Sequence, residues 1–109
     1  PEFHDKLFAS VSHLPHLLAY ASIQAITNSE SSDVLRHSGA GLKDFSRIAS
    51  SSPEMWSDIF LENQKNLIPR ISIFKKVLED LEESILKKDR KKLINILDKA
   101  KIKRDKWMT

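Results

Sequence analysis

The chain has 109 residues, of which 40% are apolar and 30% are charged, and its net charge is +3. This size suits one domain with one core, and the absence of cysteine excludes disulfides, a thiol nucleophile and thiolate metal sites. No apolar run approaches the roughly 20 residues that span a bilayer, and the first residues lack the basic and apolar regions of a signal peptide. We therefore predict a cytoplasmic protein that does not enter a membrane.

Helical periodicity dominates the sequence from its beginning. The chain has only two glycines, too few for a fold of strands and tight turns. A first helix is predicted over residues 5–27, where Pro15 removes one backbone donor and predicts a kink near the middle. Small residues one turn apart, Ala21, Ser22 and Ala25, would permit a close approach to another helix. Apolar residues at helical spacing in this stretch are Leu7, Val11, Leu14 and Leu18.

The middle of the chain is more broken. Polar residues 28–32 interrupt the periodicity, and a short helix is predicted over residues 33–36. A flexible stretch containing both glycines follows at residues 38–41, and a second short helix is predicted over residues 42–49. The chain then gives a clear start signal, because Ser52 can cap a helix whose first residue is Pro53.

Two further helices complete the predicted all-α bundle. The longer one has apolar residues spaced alternately by four and three, as in a coiled coil, and it either starts or bends near Pro69. Lys88 and Asp89 predict a break and a cap before the last helix, which has an apolar stripe of its own. A seam this regular needs a partner helix, and in so small a chain it favours a symmetric dimer. The residues of this seam are Leu67, Ile71, Phe74, Leu78, Leu81 and Ile85.

Charge is unevenly distributed along the chain. Residues 87–109 have a net charge of +7, whereas the remainder has a net charge of −4. A basic end can bind nucleic acid or an acidic membrane, but it is also typical of a solvated helix face. Trp107 is the only aromatic residue in this stretch. Because interleaved aromatics are missing, we favour the solvated face and predict no nucleic-acid or membrane partner.

Four histidines and two helical motifs are candidates for chemistry. His13 and His16 are three residues apart on the first helix and share a face, where with Asp5 they could hold a metal, bind an anion or carbonyl, or simply pack. We predict no metal site, because a second ligand cluster is missing.

The helix after the glycines offers an ionic site. Asp44 and Arg47 can pair with each other, or the guanidinium of Arg47 can bind a carboxylate in bidentate fashion. Trp56 suits either a core position or the wall of an aromatic-sized pocket. No glycine-rich strand-to-helix motif is present, so a dinucleotide fold is excluded from this chain.

Four blocks of sequence stand out by their order and spacing: His4-Asp5, SHLPH at 12–16, GLKDFSRIA at 41–49 and MWSDIFLEN at 55–63. Together they resemble the C-terminal half of prephenate dehydrogenases. The resemblance covers about the first 60% of the chain, and it departs mildly from the commoner pattern at Leu42 and Ser46.

The resemblance implies a function for the longer protein. That family oxidatively decarboxylates prephenate to 4-hydroxyphenylpyruvate, with NAD as hydride acceptor, in tyrosine biosynthesis. It implies an N-terminal Rossmann domain, absent from this chain, that binds NAD and carries the main catalytic histidine. Residues 1–109 would then form a single helical domain, resembling the C-terminal domain of 6-phosphogluconate dehydrogenase, that forms an intertwined homodimer and one wall of the prephenate pocket. The fragment alone is not expected to be active.

The resemblance also assigns roles residue by residue. Arg47 matches an arginine that binds a prephenate carboxylate, and His16 matches a histidine that contacts the substrate. His4 matches a histidine at the pocket edge, and Trp56 matches a tryptophan beside the ring-binding end. Ser12 lies in the same motif as His16 and is also expected at the substrate. Three further residues are expected to support the site: His13, Lys43 and Asp44.

Two alternatives remain open at the level of sequence. One is an arogenate dehydrogenase of the same family. The other is a non-catalytic helical interaction module that uses the basic end.

Overall fold

The computed structural model describes the backbone of residues 2–29 and 32–109, and the side chains of these residues except 29 and 32. Within these ranges every regular element is helical and no strand occurs, so the predicted all-α class is confirmed. The chain divides into two compact units, Pro1–Ile71 and Ser72–Thr109. The α-helices are α1 Glu2–Phe8, α2 Leu14–Ser29, α3 Ala40–Ser46, α4 Pro53–Glu62, α5 Gln64–Leu86 and α6 Arg90–Trp107.

A π-helical segment, Ala9–His13, joins α1 to α2 without a break. The N–H of Leu14 donates to the carbonyl of Ala9, five residues earlier, which is the π spacing. Pro15 is the residue after Leu14. It has no N–H to donate, and its ring would clash with the carbonyl four residues earlier in a regular α-helix. The disturbance that the sequence predicts at Pro15 therefore takes the form of a wider turn just before the proline.

The buried face of α2 is not the face that contains the small residues Ala21 and Ala25. Ala21 and Ala25 are exposed, whereas Ala19 is fully buried and Ile23 is half-buried. Because neighbouring residues of a helix point about 100° apart, the predicted small-residue face lies on the solvent side. In the single chain Ala21 and Ala25 are not covered by another helix, so the close approach that their size permits stays a prediction.

Short elements connect α2 to α4. A 3₁₀ helix, Ser32–His37, replaces the short helix predicted over residues 33–36. The break predicted over residues 28–32 falls partly outside the described residues. Instead of one helix over residues 42–49, the chain forms α3 and then a 3₁₀ turn, Arg47–Ser50. Both α3 and this turn pack against α2.

The predicted start of α4 is confirmed. Pro53 is the first residue of the helix, and the Ser52 hydroxyl accepts a hydrogen bond from the N–H of Met55 at 3.3 Å. This cap satisfies one of the N–H groups that a helix leaves unbonded at its start. It also fixes the register that makes Trp56 the buried residue of α4.

In the first unit, α5 begins five residues before Pro69 and continues through it. Leu67, the first residue of the predicted seam, is buried. The Arg70 guanidinium donates to the Asn66 carbonyl at 3.0 Å and to the Ser10 hydroxyl at 3.1 Å. Arg70 thereby ties the start of α5 to the π segment.

In the second unit, α5 and α6 form a hairpin at the predicted break. The N–H of Asp89 donates to the Ser84 carbonyl at 2.8 Å, and the N–H of Lys88 donates to the Ile85 carbonyl at 3.1 Å. This pair of bonds is a Schellman motif, in which the residue Lys88 has a left-handed φ of 53°. Asp89 then caps α6 by accepting from the N–H of Lys92 at 3.1 Å.

Much apolar surface of the second unit is open in the single chain. Leu78 is 55% exposed and Ile85 is 63% exposed, although both belong to the predicted seam. At the basic end, the Arg104 guanidinium lies 4.8 Å from the ring centroid of Trp107. Among the described residues, no helix is both long and apolar enough to span a membrane.

Candidate functional site

A row of aromatic rings links the N-terminal helical stretch to α4. Trp56 is buried, and its ring stacks on His16 with centroids 3.7 Å apart and planes at 16°. His13 meets the same tryptophan edge-on at 6.2 Å. At the far end of the row, His4 stacks on Phe8 at 4.2 Å. The indole therefore holds two imidazoles, three residues apart, in fixed positions.

Each of the two central imidazoles has one bonded nitrogen. Nδ1 of His16 lies 2.8 Å from the Ser12 carbonyl, which can only accept, so Nδ1 is the donor. Nδ1 of His13 lies 3.1 Å from the amide nitrogen of Asn63. The same amide nitrogen donates to the Asp5 carbonyl at 2.8 Å. Asn63 is thus the meeting point of α1, the π segment and α4.

One cavity of the first unit lies beside His13, and it is larger than the cavity against Trp56. Its volume is about 330 Å³. Imidazole, carboxylate and amide groups share its wall with apolar side chains, so it suits a small polar ligand that also has an apolar part. The residues that line it are His4, Asp5, Phe8, His13, Ile59, Glu62 and Asn63.

A second cavity of about 170 Å³ lies against Trp56. Its other walls are Tyr20, Pro53, Ser57 and Phe60. The Tyr20 hydroxyl donates to the Ser51 carbonyl at 2.7 Å and so anchors the segment before α4 to α2. This cavity contains no charged side chain.

The surroundings of His13 favour the neutral form of its imidazole. Its pKa is lowered, first by burial and then by the neighbouring His16, while Asp5 opposes the shift and His4 adds to it. The hydrogen bond from Asn63 agrees with this direction, because a protonated Nδ1 would have no lone pair to accept it.

The structure brings some of the predicted site residues together and leaves others apart. His4 and His13 line the larger cavity, His16 and Trp56 stack on each other, and Ser12 contributes its carbonyl to His16.

The three residues of the predicted ionic site form another group. Lys43, Asp44 and Arg47 are exposed on α3 and the turn after it, and they line neither cavity. None of the ion pairs among the described residues joins Asp44 to Arg47, although their spacing allows one. Across the described residues, no group of three or more His, Asp or Glu side chains is arranged to hold a metal ion.

Sequence reasoning did not single out four residues of the site. Asn63, Glu62, Ile59 and Phe8 line the larger cavity. Asn63 and Asn66 do leave a signal, because two amide residues three apart stand where α4 gives way to α5, and both are buried. Amides at such a junction can satisfy free backbone groups, but the other partners of Asn63, Asp5 and His13, lie too far along the chain to be identified from spacing alone.

Comparison with known proteins finds one matching family and several similar enzymes. A model of the family described as prephenate dehydrogenase, dimerization domain, matches residues 1–99. Cyclohexadienyl dehydrogenase of Zymomonas mobilis is 36% identical over 91 residues, 81% of this chain and 31% of that protein. Prephenate dehydrogenase of Bacillus subtilis is 33% identical over 107 residues, 96% of this chain and 29% of that protein. The chain thus spans about 30% of the length of these relatives.

Solved structures of related dehydrogenases are also similar to this chain. Prephenate dehydrogenase from Aquifex aeolicus, in complex with hydroxyphenyl propionate and NAD+, is 42% identical with a TM-score of 0.88, and the match covers 97% of this chain and 38% of that one. Synechocystis arogenate dehydrogenase is 28% identical with a TM-score of 0.87, and the match covers 98% of this chain and 40% of that one.

Proposed function

The chain belongs to the family of prephenate dehydrogenase dimerization domains, and we propose that it is the C-terminal part of an NAD-dependent prephenate dehydrogenase. The whole enzyme would oxidatively decarboxylate prephenate to 4-hydroxyphenylpyruvate in tyrosine biosynthesis, in the cytoplasm. Within it, this chain joins two subunits and forms one wall of the substrate pocket. It is a single functional domain, inactive alone, with neither nucleic acid nor membrane as a partner.

One observation supports this proposal above the others. His16 is stacked on Trp56, and His13 stands beside them in the wall of a cavity of about 330 Å³. The three histidines predicted at the site, His4, His13 and His16, therefore lie in one row of rings with the predicted Trp56. Such a cluster of rings and imidazoles suits a ligand that has a six-membered ring and anionic oxygens.

NAD does not fit this chain by the usual dinucleotide fold. The described residues contain no strand, and neither glycine lies in a strand-to-helix turn that could receive a pyrophosphate. We therefore assign NAD, which accepts the hydride, to a Rossmann domain outside residues 1–109. The residues of this chain bind and orient the substrate.

Arg47 is the proposed anchor for a substrate carboxylate. Its guanidinium is exposed, and its turn packs on α2, the helix that carries His16. Lys43 and Asp44 lie one helical turn earlier, on α3. Their opposite charges would balance each other at the entrance of the substrate pocket. Ser12 is proposed to act near the substrate beside His16, to which its carbonyl is bonded.

The test is the Arg47→Ala variant of the intact enzyme, assayed with prephenate and NAD. Loss of a hydrogen bond to a charged group costs about 1.5–3 kcal/mol, so KM for prephenate should rise roughly tenfold or more. Arg36→Ala is the matched control, because Arg36 is an exposed arginine on the 3₁₀ helix before α3 and is paired with Asp33. An unchanged KM in Arg47→Ala would refute the anchor role, and no turnover by the wild-type enzyme would refute the activity.

Arogenate is the second candidate substrate. The similarity to Synechocystis arogenate dehydrogenase, with a TM-score of 0.87, is the observation that favours it. Parallel assays of the wild-type enzyme with prephenate and with arogenate decide between the two, since the preferred substrate has the higher kcat/KM.

We also propose a homodimer that is formed through the exposed apolar face of the second unit. Phe74, Leu78 and Ile85 of the seam are all exposed in the single chain. A contiguous apolar face of this kind marks an interaction surface, and the family's description as a dimerization domain favours a second copy as the partner.

A further inference from the structure

We propose that Asn63 is a positioning residue that holds His13 as the Nε2–H tautomer, so that the imidazole donates a hydrogen bond to an oxygen of the bound ligand. The tautomer follows from contacts within this chain alone. The identity of the ligand, a prephenate-like carboxylate or carbonyl compound, rests on the proposed function.

The orientation of the Asn63 amide is fixed from two sides. Its nitrogen lies 2.8 Å from the Asp5 carbonyl, which can only accept a hydrogen bond. Its oxygen accepts from the amide nitrogen of Asn66 at 2.8 Å. Asn63 and Asn66 are each 8% exposed, so a flipped amide would leave buried groups facing each other without hydrogen bonds.

This orientation determines which nitrogen of His13 carries the proton. The second N–H of the Asn63 amide points to Nδ1 of His13 at 3.1 Å, and Nδ1 must therefore be the unprotonated acceptor. The proton of the neutral ring is then on Nε2. Among the described residues, no protein group forms a hydrogen bond with that nitrogen, and His13 lines the larger cavity.

His16 provides the contrast that makes the assignment specific. Its Nδ1 donates to the Ser12 carbonyl, so its neutral form has a lone pair on Nε2. Two histidines on the same face of one helical stretch therefore offer opposite groups. His13 offers a donor and His16 offers an acceptor, and a ligand with both an oxygen acceptor and a hydroxyl would match this pair.

The charged groups around His13 come from each neighbouring helix. Asp5 and His4 lie on α1, His16 lies on α2, and Glu62 of α4 lines the same cavity. Burial lowers the pKa of His13 most, and His16 lowers it further. A neutral ring with a fixed tautomer is therefore the form present near neutral pH, and it donates without adding a positive charge.

The first measurement is the histidine ¹⁵N spectrum of the full-length wild-type enzyme, with His13→Gln used to assign the resonance. The two neutral tautomers of a histidine are distinguished by which ring nitrogen has the ¹⁵N chemical shift of a protonated site. We expect protonated Nε2 and unprotonated Nδ1 for His13. A proton on Nδ1 of the neutral ring would overturn the proposal, whether or not the enzyme turns over prephenate.

The second measurement uses Asn63→Asp in the same enzyme. The new carboxylate accepts a hydrogen bond but cannot donate one, so it should draw the proton to Nδ1 and leave Nε2 as an acceptor. At about pH 8 we expect KM for prephenate to rise roughly tenfold, with a smaller change in kcat. Toward about pH 6 the ring becomes doubly protonated, Nε2–H returns, and the difference in KM should shrink.

Asn95→Asp is the matched control, because Asn95 is an exposed asparagine of α6 and acquires the same charge. A KM that is raised equally at all pH values in Asn63→Asp would indicate a merely structural role and would overturn the proposal. If Asn63→Asp does not fold, the wild-type spectrum still decides the tautomer. If the wild-type enzyme does not act on prephenate, the proposed function fails while the tautomer assignment is judged on the spectrum.

Discussion

At the scale of single residues, two histidines of the same helical stretch differ because their partners differ. His16 bonds to a carbonyl one turn earlier on its own helix, whereas His13 bonds to Asn63, which is 50 residues away along the chain. The side chain type predicts only that either ring can donate or accept. The partner decides which of the two it does.

The lowered pKa of His13 predicts how stability depends on pH. The unfolded chain takes up this proton at the ordinary value near 6.5, and the folded chain takes it up only at lower pH, so protons favour unfolding. Stability that is present above about pH 6.5 should be lost as the pH falls through the lower pKa of the folded state. In urea unfolding curves, His13→Gln should therefore show a smaller loss of unfolding free energy between neutral and mildly acid pH than the wild type.

His37→Gln is the control for this measurement. His37 ends the 3₁₀ helix, is exposed, and lies outside the row of rings. An identical pH dependence in His13→Gln and the wild type would show that the lowered pKa of His13 has no effect on folding.

At the scale of elements, the helix junctions show where local rules suffice. Ser52 and Asp89 cap helices through their own side chains, and both bonds join residues three apart. The π segment before Pro15 is different, because a proline can be accommodated by a kink, a break or a wider turn. The bond from Arg70 to Ser10 belongs to the packing that accompanies the wider turn here.

Lys88 gives a prediction about the hairpin between α5 and α6. Its φ of 53° lies in the left-handed region, which costs a residue with a Cβ about 1–2 kcal/mol relative to glycine. We expect Lys88→Gly to relieve this strain and to raise the free energy of unfolding by up to about 1 kcal/mol. The larger conformational entropy of glycine in the unfolded chain reduces the gain. Denaturant unfolding at a fixed protein concentration measures it.

The opposite sign is expected for the same substitution inside a helix. Lys99 is an exposed residue in the interior of α6, where glycine should cost about 1 kcal/mol. If Lys88→Gly were as destabilising as Lys99→Gly, the left-handed conformation would not be a source of strain.

At the scale of the whole molecule, the second unit leaves its apolar residues open. Leu86 is 80% exposed, and along α6 Leu97 and Ile102 are each more than half exposed. Exposed apolar surface on this scale is unfavourable in a solvated monomer. The proposed second copy would cover this surface, and the need to cover it would account for the regular seam on α5.

The proposed homodimer predicts a specific effect of Leu78→Glu. In the proposed interface the new charge would be desolvated without a partner, so the dimer should dissociate at concentrations where the wild type stays paired. Sedimentation velocity over a dilution series measures the change. Lys76→Glu is the control, since Lys76 lies on the opposite side of α5 and only loses an exposed ion pair with Asp80.

The proposed dimer predicts dissociation for Leu78→Glu and no dissociation for Lys76→Glu. Lys76→Glu involves the larger change of charge, so dissociation in both variants would indicate general repulsion. An unchanged dimer in Leu78→Glu would place the interface elsewhere.

The sequence by itself determined the helical class, the start of α4 at Pro53 and the hairpin at Lys88 and Asp89, because these features depend on residues within one or two turns. The seam on α5 was predicted from local spacing. The substrate roles of the motif residues came from the resemblance to a family, and they remain predictions. Only the tertiary structure decided that Asn63 joins Asp5 to His13, across 58 and 50 residues of chain. It also decided which face of α2 is buried, because a shift of one residue turns a helix face by about 100°. Contacts between distant segments depend on packing that residue spacing does not contain.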